Sequence, residues 1–330
     1  MRRCVALLAT IASSLAVVAC GSDESSDNSN AAATGKEKPV RVYTLLPSLQ
    51  DEAYLRTRKG METQEGKEKN AEITLEAGSE RGSADSLIQK IQSAVTQQYD
   101  AISINGGTNA KQLVPALTEA IDKGIKVIAF DQDLPGLEGK TTLIGWDSER
   151  AGKVMGEWWK TEGLPEGGKV GVIRCFAGTG QLLDKEFDGW NGAKGSKIQV
   201  VSTIDAECDQ AKSRAAAENM LTAHPDLKGI FADTDFGALG AERALKAADK
   251  DLVLTGCCGA EAVLATIDKG GIIDATTTFP FELFGERAVQ YAVQAARGKQ
   301  FPEVSFITPE LVTQPNAAKV LEGIQSYPGS

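Results

Sequence analysis

"QQYDAISINGGTNAKQLVPALTEAIDKGIKVIAFDQD", residues 97–133, decides the fold. It holds two short, unbroken apolar runs, "AISI" (101–104) and "VIAF" (127–130), on either side of an amphipathic helical stretch, 110–123. Strand, helix and strand in that order form a βα crossover unit. Strands that are continuously apolar, rather than alternating, are covered on both faces, as in a parallel sheet between two helical layers.

Outward from this unit the alternation continues. "VRVYTLL" (40–46) and "EITLEAG" (72–78) read as strands, and residues 52–69 and 83–98 as helices. Leu87, Ile88, Ile91 and Val95 share one face at helical spacing. The pattern then restarts. "KVGVIRC" (169–175), "IQVVSTI" (198–204), "GIFA" (229–232) and "LVLTG" (252–256) alternate with helices near 181–193, 209–223, 236–248 and 260–269. "IIDATTTFPF" (272–281) with a helix at 282–297 makes one further unit, and "EVSFITPELVT" (303–313) a closing crossover. Two βα arrays of similar size in 330 residues predict two domains, since a single core of that length is unusual.

The composition is that of a globular protein, 42% hydrophobic and 24% charged. A net charge of −10 argues against nucleic acid as a partner and against a basic membrane-binding patch. The N-terminus is set apart from the fold. Arg2 and Arg3, an apolar segment and then small residues form a secretory signal over 1–19. Its end, Val17-Val18-Ala19-Cys20-Gly21, resembles the bacterial lipobox. That resemblance implies cleavage before Cys20, acylation of Cys20 and a lipid anchor in the membrane. Cleavage removes Arg2 and Arg3 and takes the charge from −10 to −12. Residues 20–38, polar, small and aperiodic, read as a flexible tether. Of six cysteines, Cys175, Cys208, Cys257 and Cys258 then remain in an oxidising compartment, where paired thiols are expected.

Catalytic motifs do not emerge. The single histidine, His224, precedes Pro225 at a helix end and reads as a turn residue. "GTGQLLD" (178–184) lacks the third glycine of a dinucleotide fingerprint. No separated Cys-x-x-Cys pairs suggest zinc. No metal and no cofactor are expected. Acidic residues collect near strand ends without an arranged nucleophile and base, so binding is favoured over catalysis.

Four stretches taken in order, "DEAYLRTRKGM" (51–61), residues 97–133, "ENMLTAHPDLKGIFADTDFGALGAERAL" (218–245) and "GAEAVLATIDKGGIIDATTTFPFELFGERAV" (259–289), resemble the type I periplasmic sugar-binding proteins of ABC importers. The resemblance spans residues 40–313. It implies an α/β fold of two doubly wound parallel-sheet lobes joined by a three-stranded hinge. The first lobe is expected over 39–145 plus 278–304, the second over 146–277 plus 305–330. It implies a ligand at the carboxyl ends of the strands, between the lobes. It further implies an extracytoplasmic receptor, expected to be a monomer, that serves an ABC permease and its ATPase.

Positions matching the family's contacts follow residue by residue. Asp51 and Tyr54 stand after the first strand, Asn105 ends the third, and Asp131 takes the place of the family's sugar-binding aspartate. Gln132 stands where arginine is common, with Asp133 next. Asp184 lies near another arginine position. Thr234-Asp235 replaces Asn-Asp, Phe279 replaces a hinge glutamine, and Cys257-Cys258 replaces an aromatic–aspartate pair. Trp146 belongs to the hinge. Lost arginines and gained acids point to a neutral ligand, a pentose, deoxyhexose or short polyol, rather than a sugar acid or phosphate. A signalling receptor for a quorum signal or sugar, and a secreted carbohydrate-active enzyme, are the competing readings.

The family's strand order also bears on the thiols. It makes the first two strands of the second lobe neighbours, which lets Cys175 meet Cys208 and leaves Cys257 with Cys258. Adjacent Cα atoms lie about 3.8 Å apart, below the roughly 4.4–6.8 Å usual for disulfides. A vicinal bridge is therefore a strained turn. The alternative is two reduced cysteines buried as small hydrophobes.

Overall fold

The computed structural model describes residues 38–50, 52–79, 83–178 and 182–327. The signal sequence, residues 20–37 of the tether, Cys20 among them, and Asp51 lie outside them. Five strands come first: Val40–Leu46 (β1), Ala71–Ala77 (β2), Ala101–Ile104 (β3), Lys126–Phe130 (β4) and Thr142–Trp146 (β5). Five more follow: Gly168–Arg174 (β6), Ile198–Asp205 (β7), Gly229–Ala232 (β8), Val253–Thr255 (β9) and Ala275–Thr277 (β10). Val304–Ile307 (β11) and Leu311–Thr313 (β12) close the set. They make two six-stranded sheets, in the orders β11-β5-β4-β3-β1-β2 and β12-β10-β9-β8-β6-β7. Pairing is parallel throughout, except that β12 runs antiparallel to β10.

The helices between strands are Glu52–Glu65 (α1), Ala84–Thr96 (α2), Ala110–Asp122 (α3), Ser148–Trp158 (α4), Leu182–Ala193 (α5), Gln210–Ala223 (α6), Asp235–Ala247 (α7), Glu261–Asp268 (α8), Phe281–Ala296 (α9) and Gln314–Gln325 (α10). The run in β1 is apolar because both of its faces are covered. Tyr43 and Leu45 pack with Leu87 and Ile91 of α2 and Leu113 and Leu117 of α3. Val42 and Leu46 pack on the other side with Met61 of α1 and Phe284, Ala288 and Val289 of α9. Fully burying one such side chain is worth about 1.5–3 kcal/mol.

The chain passes between sheets three times: from β5 to α4, from β10 to α9 through Thr278-Phe279-Pro280, and from β11 to β12 through Thr308-Pro309-Glu310. The third passage differs from the expected break after residue 304. Val304–Ile307 pairs residue for residue with Leu143–Trp146 and so belongs to the first sheet. Pro309, which lacks an amide donor, follows that strand and ends the run.

Two helix pairs approach so closely that glycine is required on both sides. A Cβ on Gly60 of α1 would lie 1.9 Å from the Glu282 carbonyl, and one on Gly285 of α9 would lie 1.9 Å from the Thr57 carbonyl. In the second lobe, a Cβ on Gly152 of α4 would lie 1.8 Å from the Glu186 carbonyl, and one on Gly189 of α5 would lie 2.2 Å from the Glu149 carbonyl. These contacts lock α1 to α9 and α4 to α5, beside the first two passages.

Candidate functional site

Parallel strands end at one edge of each sheet, and polar side chains gather there. Asn105, directly after β3, is buried; its Nδ2 donates to Asp131 Oδ2 at 2.8 Å, and its Oδ1 accepts from the Gly107 amide at 2.9 Å. Asp131, directly after β4, is half-buried with φ of 63°, a left-handed geometry that Asp tolerates better than most residues. Burial pushes its carboxyl up to about 6 against the opposing hydrogen bond from Asn105. Asp131, Gln132 and Asp133 line a space of 880 Å³, with Thr108 on the first lobe, Leu182 of α5 on the second, and Trp146 at the passage between them. Asp133 is exposed, accepts from the Leu134 amide and lies 3.5 Å from Lys140.

The passage itself is aromatic. Trp146 is 2% exposed, donates from Nε1 to the Thr278 carbonyl at 3.1 Å, and has its ring 5.1 Å from that of Phe279. Phe279 also stacks on Phe284, with centroids 4.9 Å apart. Tyr54 packs at the edge of the same cluster.

The second lobe is organised by an arginine that the sequence reading did not single out. Arg174 ends β6. Its Nε donates to Asp233 Oδ2 at 2.7 Å and its Nη2 to Asp184 Oδ1 at 2.6 Å, while the guanidinium lies 4.2 Å above the Phe187 ring. Asp184 also accepts from the Gly178 amide. Burial raises the Asp233 carboxyl to about 6 even beside Arg174, and its Oδ1 has no hydrogen-bond partner among the described residues. Thr234 caps α7 through the Gly237 amide. Asp235 accepts from the Ala260 amide at 2.5 Å and from Thr276 Oγ1 at 2.9 Å, and burial lifts its carboxyl to about 7. Its carboxylate therefore holds the Cys257–Ala260 loop in place.

Cys175 and Cys208 form a disulfide between the ends of β6 and β7, the pairing that the expected strand order allows. Cys257 and Cys258 are not joined, but their sulfurs lie 2.9 Å apart. Cys258 and Phe279 line a second space, of 280 Å³. Tyr54, Asn105, Asp184, Thr234, Asp235 and Cys257 border neither space. Asn105 and Asp131 come from the resemblance to the family's contact positions; Arg174 and Asp233 also stand at strand ends, the one signal that could have pointed to them. Glu186 on α5 is fully buried, although its spacing carries no such signal.

A family model described as a periplasmic binding protein domain matches residues 42–300. The chain belongs to the periplasmic binding protein domain family. Among relatives of this periplasmic binding protein is the ribose import binding protein of Bacillus subtilis, 27% identical over 282 residues, covering 85% of this chain and 90% of the relative. Among solved structures, an ABC transporter solute-binding protein of Mycobacterium smegmatis with bound glycerol is 25% identical, with a TM-score of 0.71, over 86% of this chain and 97% of that one. The periplasmic ribose ABC transporter protein of Conexibacter woesei superposes with a TM-score of 0.78 at 21% identity, over 86% of this chain and 95% of that one. The two-lobe, doubly wound fold expected of a type I periplasmic binding protein is the fold observed.

Proposed function

We propose that this chain is a lipid-anchored, extracytoplasmic solute-binding protein that captures a neutral sugar or polyol between its lobes and delivers it to an ABC permease. It binds without turnover. The observation that carries this reading is the Asp131–Asn105 pair beside the 880 Å³ space bordered by both lobes. A carboxylate oriented by an amide accepts hydrogen bonds from hydroxyls strongly, and Gln132 adds donors and an acceptor. Arg174 is already matched by Asp233 and Asp184, which leaves it ill suited to hold a sugar acid or phosphate. Ribose and glycerol, named for two of the proteins similar to this one, are uncharged polyhydroxyl compounds, which supports the class.

In this reading Asn105, Asp131, Gln132 and Asp133 contact the ligand from the first lobe, and Tyr54 and Asp51, the latter outside the described residues, take the family's contact positions after the first strand. Asp184, Thr234, Cys258 and Phe279 meet it from the second lobe and the hinge, and Asp235 and the buried Cys257 act through the loop that carries Cys258. A thermal-shift screen of pentoses, deoxyhexoses and polyols tests the class. A true ligand at 100 times its Kd stabilises the protein by about 2.7 kcal/mol. Stabilisation by a sugar acid and by no neutral compound would sink the reading. The anchor has its own test: Cys20→Ala should move the protein from the membrane to the soluble extracytoplasmic fraction, and unchanged membrane association places the anchor elsewhere.

A further inference from the structure

Cys257 and Cys258 sit among groups that ligand binding alone does not account for. Cys257 is fully buried and Cys258 half-buried, with Sγ atoms 2.9 Å apart, roughly 0.9 Å more than a disulfide bond of about 2.05 Å. Beneath them lies Glu186, also fully buried. Its Oε1 accepts from Thr277 Oγ1 at a long 3.4 Å, its carboxyl and the Cys257 thiol are close enough to influence one another electrostatically, and Oε2 has no partner among the described residues. A buried acid with an unsatisfied oxygen is costly, and its place against a thiol pair calls for an explanation. The explanation is not packing alone. Cys258 borders the 280 Å³ space, whose wall carries Arg56 and Lys319 against Glu282 and Glu310, so a small reagent has a route to its sulfur, whereas Cys257 is fully buried beside the acid.

We infer that Cys257 and Cys258 are a reversible dithiol–disulfide pair, and that Glu186 is the buried acid that exchanges a proton with Cys257. In the reductive direction a small thiol, ionised in solution, enters beside Cys258 and attacks its Sγ. The Sγ–Sγ bond breaks, its electron pair stays on Cys257, and Cys257 takes the Glu186 proton. A second ionised thiol attacks the small-molecule sulfur of the mixed disulfide. Cys258 then leaves as thiolate and is protonated from water. The two protons lost by the thiols balance those gained, because Glu186 recovers its proton from solvent. One protein disulfide and two thiols thus become two protein thiols and one small disulfide. Oxidation by an extracytoplasmic disulfide is the reverse, with the Glu186 carboxylate as acceptor.

The surroundings fit these roles. Burial first, then the neighbouring Asp233, holds Glu186 well above the ordinary carboxyl range, so it carries a proton to give. Burial likewise drives the Cys257 thiol well above its ordinary value, so a thiolate formed there demands one. For Cys258 the largest influence is the hydrogen bond from Cys257, which lowers it, although burial and the acids Glu186, Asp235 and Asp233 leave it raised. The bridge strains a two-residue turn, and strained disulfides are the more readily reduced. The pair is also tied to the hinge: the Cys258 amide donates to the Thr277 carbonyl at 2.8 Å, and the Phe279 amide donates to the Cys258 carbonyl at 3.3 Å.

The test begins with protein purified without reductant, alkylated after unfolding and mapped by mass. The peptide carrying residues 257–258 is expected unalkylated and two hydrogens light. Brief exposure of the folded protein to dithiothreitol should make both cysteines alkylatable while Cys175–Cys208 stays closed. Free thiols at both positions that a small disulfide cannot close, or a bridge from either to Cys175 or Cys208, overturns the pair. For the acid, Glu186→Gln should slow the opening of the bridge at least about tenfold. Mere loosening of the fold would instead speed the opening of both bridges, so Cys175–Cys208 serves as the internal control. Glu186→Asp, which retains an acid, should fall between Glu186→Gln and wild type, and below wild type should the glutamine variant not fold. Wild-type rates in these variants overturn the role of Glu186.

Discussion

A carboxyl titrating near 6 stands close to the boundary between its two forms at neutral pH, and Asp131 is such a group. Its pKa in the fold is above the ordinary 3.8, so its contribution to stability is complete below about pH 3.8 and is lost as pH rises through about 6. Ligand hydroxyls that donate to the carboxylate reverse that preference. Affinity should therefore be full above about pH 7 and fall as pH drops toward 5, and Asp131→Asn should lose that part of the pH dependence. Asp131→Ala should weaken binding at least tenfold, in line with about 2–5 kcal/mol for removing one partner of a buried charged network, and leave the fold intact. Wild-type affinity by calorimetric titration in that variant would move the site. Asn105 and Asp131 were legible through the resemblance to the family's contact positions, which lie at the carboxyl ends of parallel strands. Arg174 and Asp233 also stand at such ends, yet "VIRC" reads as strand interior, and the sequence does not say that Arg174 reaches across to Asp233 and Asp184. Glu186 was illegible for a different reason: its side chain is buried against Thr277 and Cys257, far along the chain, while α4 closes on its backbone carbonyl.

That contact is a property of elements. Gly152 leaves room for the Glu186 carbonyl, and Ala in its place forces the two helices apart. Gly152→Ala should cost about 1–3 kcal/mol or more in urea unfolding, the usual range for overpacking. An unchanged midpoint would show that the helices are not locked there. The same glycines hid α4 from sequence reading, because Gly152 and Gly156 weaken a helical pattern that tertiary contact then rescues. β1, β3 and β8 appear where their apolar runs place them, since continuous runs of that kind fit only strands covered on both faces. β5, with Gly145 in its middle, and α10, which follows directly on β12, were not distinguished. β11 and β12 merged into one crossover because only the break at Thr308-Pro309 separates a strand of one sheet from a strand of the other.

At the scale of the molecule, the restart of the strand–helix pattern after residue 168 made two lobes legible, and the three passages between sheets make them separable bodies. Each lobe packs its own apolar interior, while the passages are single segments braced by Trp146 and Phe279. Such a construction bends at the passages more easily than within either lobe. A ligand held by Asp131 on one side and by the second lobe on the other gains its full set of contacts only when the lobes approach, so it favours closure by its differential affinity for the closed form. Small-angle scattering with and without the neutral sugar or polyol that stabilises the protein most tests this directly. The account predicts a smaller radius of gyration with ligand, and no such decrease in Asp131→Ala at the same ligand concentration. An unchanged radius in the wild-type protein at saturating ligand would contradict it.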